Sequence, residues 1–367
     1  MRLLPLHLAL GAVLGRTVRN GAGQALLQAG VELTPAYLDA LRRYGYGSVF
    51  VEDPLLDDVR WEEPIRGETR ALAFRAAQSA FAEAREGSVR SVAAAERAVR
   101  RLTDEIMREG RAVFALDPQR AAPDYTWTHA VNVCILSLLA GLASGLDSAD
   151  LHHLGLGSLL HDVGRAADLH LADRAGALSD AEWERVKQHP AAGYQILRSN
   201  PQIHLYAAHV AFQHHERVDG SGYPRGIRGE RMLQYGRIAA AADALDAMTA
   251  DRPHRQAKPP HVALGELLAE AGTKFDSDVV RRLARRVGAY PNGTIARLSS
   301  GELAAVVDQG LDPWRPTVRV VAGADLRRRE PLDVELAHDG QGRRIAVVLP
   351  DWPLEFMRRM GRRPARS

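Results

Sequence analysis

The sequence predicts a mainly helical fold, with a small β-containing module in front and a short β appendage behind. Three observations carry this. Apolar residues recur at helical spacing from Gly67 to about Tyr290, while short Gly-punctuated Val and Leu runs occupy residues 11–53. After Pro291 the pattern changes to short alternating segments separated by Gly and Pro. A chain of 367 residues with 46% hydrophobic content has material for several domains and a sizeable core. Its 48 Lys and Arg against 45 Asp and Glu leave a net charge of only +3, which argues against a general nucleic-acid binder. The basic residues are nearly all Arg, the lysines being Lys187, Lys258 and Lys274. The placement of individual arginines therefore matters more than their sum.

Taken in order, Met1 to Gly15 is apolar and short, like the core of a signal peptide. It is interrupted by Arg2, Pro5 and His7 and lacks a small-x-small cleavage site, so a cytoplasmic location is expected. Residues 1–66 read as the β-containing module, with one helix around 35–44. Residues 67–123 read as a helical connector, its apolar stripe (Val92, Ala95, Val99, Leu102, Ile106) forming a hairpin broken near Gly87. That stripe serves packing on its own domain and pairing in a homodimer equally well. Residues 124–290 are helical again and hold most of the histidines; 291–350 form the β-rich appendage and 351–367 a basic tail, solvated from Arg358 to Ser367. No apolar run reaches the roughly 18 residues of a membrane span. Cys134 is the single cysteine, which excludes an intramolecular disulfide, and its apolar surroundings mark a buried thiol.

The chemistry concentrates in the histidine-rich block. Leu154 to Gly164 is apolar or small up to His161 and Asp162, and a carboxylate in such surroundings needs a partner or a metal. Gly164 fits a C-cap ending that helix. His129 lies in an apolar helix beginning near Tyr125. Ser179 to Glu182 fits a capping box, and its helix must stop near His189 because Pro190 follows. His214 and His215 precede Glu216-Arg-Val-Asp219-Gly-Ser-Gly222-Tyr223-Pro224. Adjacent side chains diverge by about 100° on a helix, so these two converge only where a helix ends. Asp243 follows an alanine run, with Asp246 on the same face. Each histidine taken alone fits a hydrogen-bonded core residue. The set of five His and two Asp without thiolates suits two divalent metals with open positions.

These motifs resemble the HD-GYP family, a branch of the HD phosphohydrolases, firmly from about Asp124 to Arg255 and more weakly through Arg315-Pro316. The resemblance implies an HD-type helical bundle as the catalytic domain and hydrolysis of cyclic di-GMP, with iron or manganese as the metals. It implies His129, His161, Asp162 and Asp243 on one metal, and Asp162, His189, His214 and His215 on the other. Gly222, Tyr223 and Pro224 would shape the pocket and contact partners such as diguanylate cyclases, and Arg252 and Arg255 would contact phosphates through guanidinium forks. Two departures stand out. Arg165 occupies the position of the usual Lys, where it would serve catalysis and phosphate binding, with Asp246 orienting it. Tyr125 stands where some members carry a Glu that supports a third metal, which implies two metals and a linear pGpG product. Two rivals remain, a catalytically weak cyclic di-GMP receptor and an HD hydrolase of another nucleotide.

Overall fold

The computed structural model describes residues 1–59, 65–90, 92–108, 114–115, 125–168, 179–250 and 257–359. The front module comprises β1 (Arg2–Pro5), β2 (Val18–Arg19), β3 (Ala25–Leu27), α1 (Pro35–Arg43) and β4 (Ser48–Val51). β1 pairs antiparallel with β4, and β2 with β3. Thr34 caps α1 by accepting from Tyr37 N–H, and the module closes on its own core of Leu4, Leu14, Leu38, Leu41, Val49 and Val51. β1 falls in the segment weighed above as a possible leader; its alternation is only four residues long and too short to detect in sequence.

The helical body follows as α2 (Gly67–Ala84), α3 (Ala93–Arg108), α4 (Tyr125–Ala143), α5 (Ser148–Leu159), α6 (Asp180–Val186) and α7 (His189–Arg198). It continues with α8 (Leu205–Gln213), α9 (Gln234–Thr249), α10 (Pro260–Ala269) and α11 (Ser277–Ala284). The α2–α3 hairpin breaks where expected, with Gly87 in the left-handed region at φ 87°. Its stripe of Ala95, Val99, Leu102 and Ile106 is buried in the same core as α4, α5 and α9, so packing within the chain accounts for it. The two helices in the segment read as a connector, α2 and α3, thus pack into the bundle. α4 is long and apolar enough to cross a membrane, but it is the bundle's central helix, and Val131 to Gly141 are all buried.

β5 (Phe114–Ala115) pairs in parallel with β6 (Val287–Gly288), and a five-stranded antiparallel sheet follows. Its strands β7 (Ile295–Leu298), β8 (Leu303–Asp308), β9 (Thr317–Ala322), β10 (Arg328–Glu335) and β11 (Ile345–Leu349) lie in the order β10-β9-β8-β7-β11. The last two strands were not apparent in the sequence because they are edges: β10 is exposed at almost every position and reads as polar.

Two expectations are corrected. The segment 351–367 is not all a basic tail: Trp352, Phe356 and Met357 are buried, the latter two on α12 (Leu354–Arg359), against Leu55, Leu56 and the β7–β9 face. Three apolar side chains among arginines are too few to show periodicity. Nor is Gly164 a C-cap. α5 ends at Leu159, and Gly164 lies in a 3-10 turn (Val163–Ala167) where a Cβ would sit 2.1 Å from His189 O and 2.5 Å from Gly193 N. The position needs glycine for close approach rather than for helix termination.

Candidate metal centre

Five helices meet at one buried point. α4 brings His129, and the turn after α5 brings His161 and Asp162. α7 begins at His189, α8 ends with His214 as its cap and His215 next, and α9 carries Asp243 and Asp246. The local signals work as expected. Ser179 and Glu182 form a reciprocal capping box, α6 stops at Val186, and Pro190 sits in the first turn of the next helix. Glycines let the helices close. Beside Gly164, a Cβ on Gly157 would meet Ala207 O at 2.6 Å, and one on Gly236 would meet the Gln213 side chain at 2.5 Å. The distance between α5, α8 and α9, and hence between the site residues, rests on these positions.

The hydrogen bonds fix the imidazole tautomers. Nδ1 of His161, His189 and His214 faces the carbonyl of Ser158 (2.8 Å), Val186 (2.6 Å) and Ala211 (2.8 Å), respectively. A carbonyl only accepts, so each Nδ1 carries the proton and, in the neutral ring, each Nε2 keeps a lone pair. His189 Nε2 and His214 Nε2 then oppose each other at 3.1 Å with no proton between them, and His161 Nε2 is buried with no hydrogen-bond partner. Opposed lone pairs and an orphaned one in a dry site fit a cation bound among them. Burial pushes His161 down to about 3, His189 to about 4 and His215 well below the usual range, so all three are neutral at pH 7, the form that binds metal.

The carboxylates sit between the rings. Asp162 Oδ1 is 3.1 Å from His189 Nε2 and 3.4 Å from His214 Nε2, and its Oδ2 is 3.6 Å from His161 Nε2. Asp243 Oδ1 lies 3.0 Å from His129 Nε2, and Oδ2 lies 3.4 Å from His215 Nδ1. Burial opposes both charges. Arg165 and the histidines outweigh it at Asp162, as His215 and His129 do at Asp243, so both acids stay ionised well below the ordinary carboxylate range. Two groups could each hold a metal: Asp162 with His189, His214 and His215, and Asp243 with His129 and His161. Within each group the donor atoms lie within 4.8 Å of one another.

His129 is oriented differently. Its Nδ1 is 2.7 Å from Asp246 Oδ2, a fully buried carboxylate, so Nδ1–H donates there and Nε2 turns towards Asp243. Tyr125 stacks on the same ring at 5.2 Å and 14°. Burial works against a charge on this imidazole, but Tyr125, Asp243 and Asp246 together raise it well above the usual range. Arg165 stands over the centre, with Nε 2.9 Å from Asp162 Oδ1 and Nη2 3.4 Å from His215 Nε2. Arg165 thus pairs with the carboxylate of Asp162, and Asp246 is placed against His129.

Gly222, Tyr223 and Pro224 fold back over α8's end. Tyr223 N–H donates to His215 O at 3.1 Å, its ring centre is 4.8 Å from that of His215, and the Tyr223–Pro224 peptide is cis. Glu216, which sequence reasoning assigned no task, anchors this loop. Fully buried, it accepts from Arg225 N–H (2.9 Å) and Ile227 N–H (3.1 Å). A glutamate between two histidines and a Gly-rich turn was the available signal. Arg252 and Arg255 lie outside the described residues.

Comparison with known proteins agrees with this geometry. The HD domain family model matches residues 120–279. A cyclic di-GMP phosphodiesterase of Pseudomonas aeruginosa is 34% identical over 301 residues, covering 80% of this chain and 72% of that protein. The chain belongs to the HD-GYP branch of the HD domain family. Other relatives share shorter stretches. A 3'3'-cGAMP-specific phosphodiesterase of Vibrio cholerae is 34% identical over 50% of this chain, and a cyclic di-GMP phosphodiesterase of Thermotoga maritima is 36% identical over 42%. This chain spans 38% and 43% of those two proteins, less than half their length.

Proposed function

We propose that this HD-GYP chain is a metal-dependent phosphodiesterase that opens cyclic di-GMP to linear pGpG. The observation that carries the reading is the meeting of three outward lone pairs with two ionised carboxylates at one buried point, overlooked by Arg165. His129, His161, Asp162 and Asp243 would hold one divalent ion, iron or manganese, and Asp162, His189, His214 and His215 the other. When bound, such ions supply a Lewis acid for a phosphoryl oxygen and lower the pKa of a coordinated water.

The chain's own residues do the rest. Asp246 fixes the tautomer of His129, and the three backbone carbonyls fix those of His161, His189 and His214. Arg165 places a permanent planar cation where a phosphate would lie, and Arg252 and Arg255 extend that positive wall by resemblance. Tyr223 closes the side beside His215 and restricts water there. Tyr125 puts an aromatic ring, not a carboxylate, against His129, which favours two ions over three and pGpG over GMP.

One observation favours a second reading. Arg165 Nε lies 2.9 Å from Asp162 Oδ1, the oxygen that His189 and His214 also face, so the guanidinium competes for a carboxylate that would help hold the ions. A pocket held in that state would bind cyclic di-GMP while turning it over slowly, as a receptor does.

One assay separates these. The full chain, loaded with Fe(II) or Mn(II), is given cyclic di-GMP and 3'3'-cGAMP in parallel, with metal content and products measured. Two ions per chain and accumulation of pGpG support the proposal. Binding without turnover supports the receptor reading. A clear preference for 3'3'-cGAMP reassigns the substrate, and three ions or rapid GMP release overturns the role given to Tyr125.

A further inference from the structure

A cavity of about 560 Å³ lies between the front module, α2 and α4, and none of the metal-centre residues lines it. Arg16 and Arg19 reach it from the module and Arg70 from α2, together with Thr17, Thr128 and Asn132. Among the described residues lining it, none is acidic. Nearby, the buried carboxylate of Glu105 is engaged elsewhere, accepting from Arg66 N–H (2.9 Å) and Thr69 Oγ1 (2.7 Å).

The walls are built. The β2–β3 turn rests directly on α2, where a Cβ on Gly21 would fall 2.2 Å from the Phe74 ring. Tyr46, itself buried, ties the turn down by donating from its hydroxyl to Arg19 O at 2.7 Å. Arg19 Nη1 donates to the neutral carbonyl of Gly23 (3.0 Å), and Arg70 Nη1 to Asn132 Oδ1 (3.3 Å). Arginine side chains with hydroxyl and amide groups around a concave space match the oxygens of phosphate, and the volume suits a mononucleotide.

We infer that this cavity is a second binding site, distinct from the metal centre, for a phosphorylated small molecule of nucleotide size. It also touches the machinery described above. Thr128, Val131 and Asn132 face the cavity from the helix whose His129 faces the metals, so a ligand held by Arg70 and Asn132 bears on the position of α4. The binding itself does not depend on the hydrolytic reading.

The test uses ADP as the probe, with the metal-loaded full chain, calorimetry and amide hydrogen exchange. ADP is expected to protect residues 15–24 and 67–74. Asn132→Asp, nearly isosteric and placing a carboxylate against Arg70, is expected to weaken binding by about tenfold or more, as is Arg70→Ala. Asp162→Asn is expected to leave that protection in place. Protection confined to segments around His161 and His214, loss of protection in Asp162→Asn, or affinity unchanged in a cooperatively melting Asn132→Asp variant would each overturn the inference.

Discussion

Asp246 bears on the centre through His129, and its replacement separates holding a ligand from being one. Asp246→Asn keeps the shape but offers His129 Nδ1–H an amide in place of a carboxylate, and metal affinity is expected to fall by about 10–100-fold. Titration of the apo protein with Mn(II) reads this directly, and unchanged affinity would refute the orienting role. Arg165→Ala tests the other neighbour. Loss of a charged phosphate partner lowers kcat/KM by about ten- to a hundredfold, while metal content stays the same if Arg165 acts on substrate rather than through Asp162. Protonation gives a third prediction. His161 and His189 sit at about 3 and about 4 in the folded metal-free chain, below the value of about 6.5 for an unfolded histidine, and His215 is lowered too. Between those limits the unfolded chain binds more protons, so stability falls as pH drops. His129, raised instead, contributes stability that is present below its unfolded pKa and lost as pH rises through its folded value, so it opposes the other three. The melting temperature of the chelator-treated protein is therefore expected to decline from pH 7 to pH 5, and a flat profile would contradict this balance.

At the scale of elements, helix packing around the centre depends on positions with no side chain. Gly164→Ala puts a methyl group into His189 O and Gly193 N, both backbone atoms that cannot swing aside. The expected loss is about 1–3 kcal/mol or more, together with weaker metal binding, because the start of α7 must retreat with His189. Denaturant melts and metal titration of one variant check both parts. How much of this was legible follows the same physics. The ligand-bearing helices were readable because capping boxes, Pro190 and the Gly-rich run after His215 are local signals. The seven positions expected as ligands came from a motif resemblance, and the folded chain brings them into two adjacent groups that could hold metal ions. The function of Gly164 was not legible, since close approach is a relation to residues 25 and more positions away. Glu216 was equally silent, because its partners are backbone N–H groups. The strands β10 and β11 were missed because edge strands need not alternate.

Across the whole molecule, the front module and the final segment are joined by a small buried polar cluster. Asp53, with no exposed surface, receives Trp352 Nε1–H at 2.7 Å and pairs with Arg2 at 2.9 Å, and Arg2 also reaches Asp351 at 2.8 Å. Asp53→Ala leaves the Trp352 indole N–H without its acceptor and Arg2 with Asp351 as its remaining carboxylate, so a loss of about 1–3 kcal/mol is expected in denaturant melts. A drop below about 1 kcal/mol would mean that Arg2 and Trp352 find other partners. The contact also sets a schedule for synthesis. Asp53 and Trp352 are 299 residues apart, and at about 5–20 residues per second the indole emerges roughly 15–60 s after the carboxylate it covers. During that wait Leu55 and Leu56 can meet the β7–β9 residues that emerge first, while the part of the cluster that Trp352, Phe356 and Met357 cover stays bare until the last residues of the chain are made.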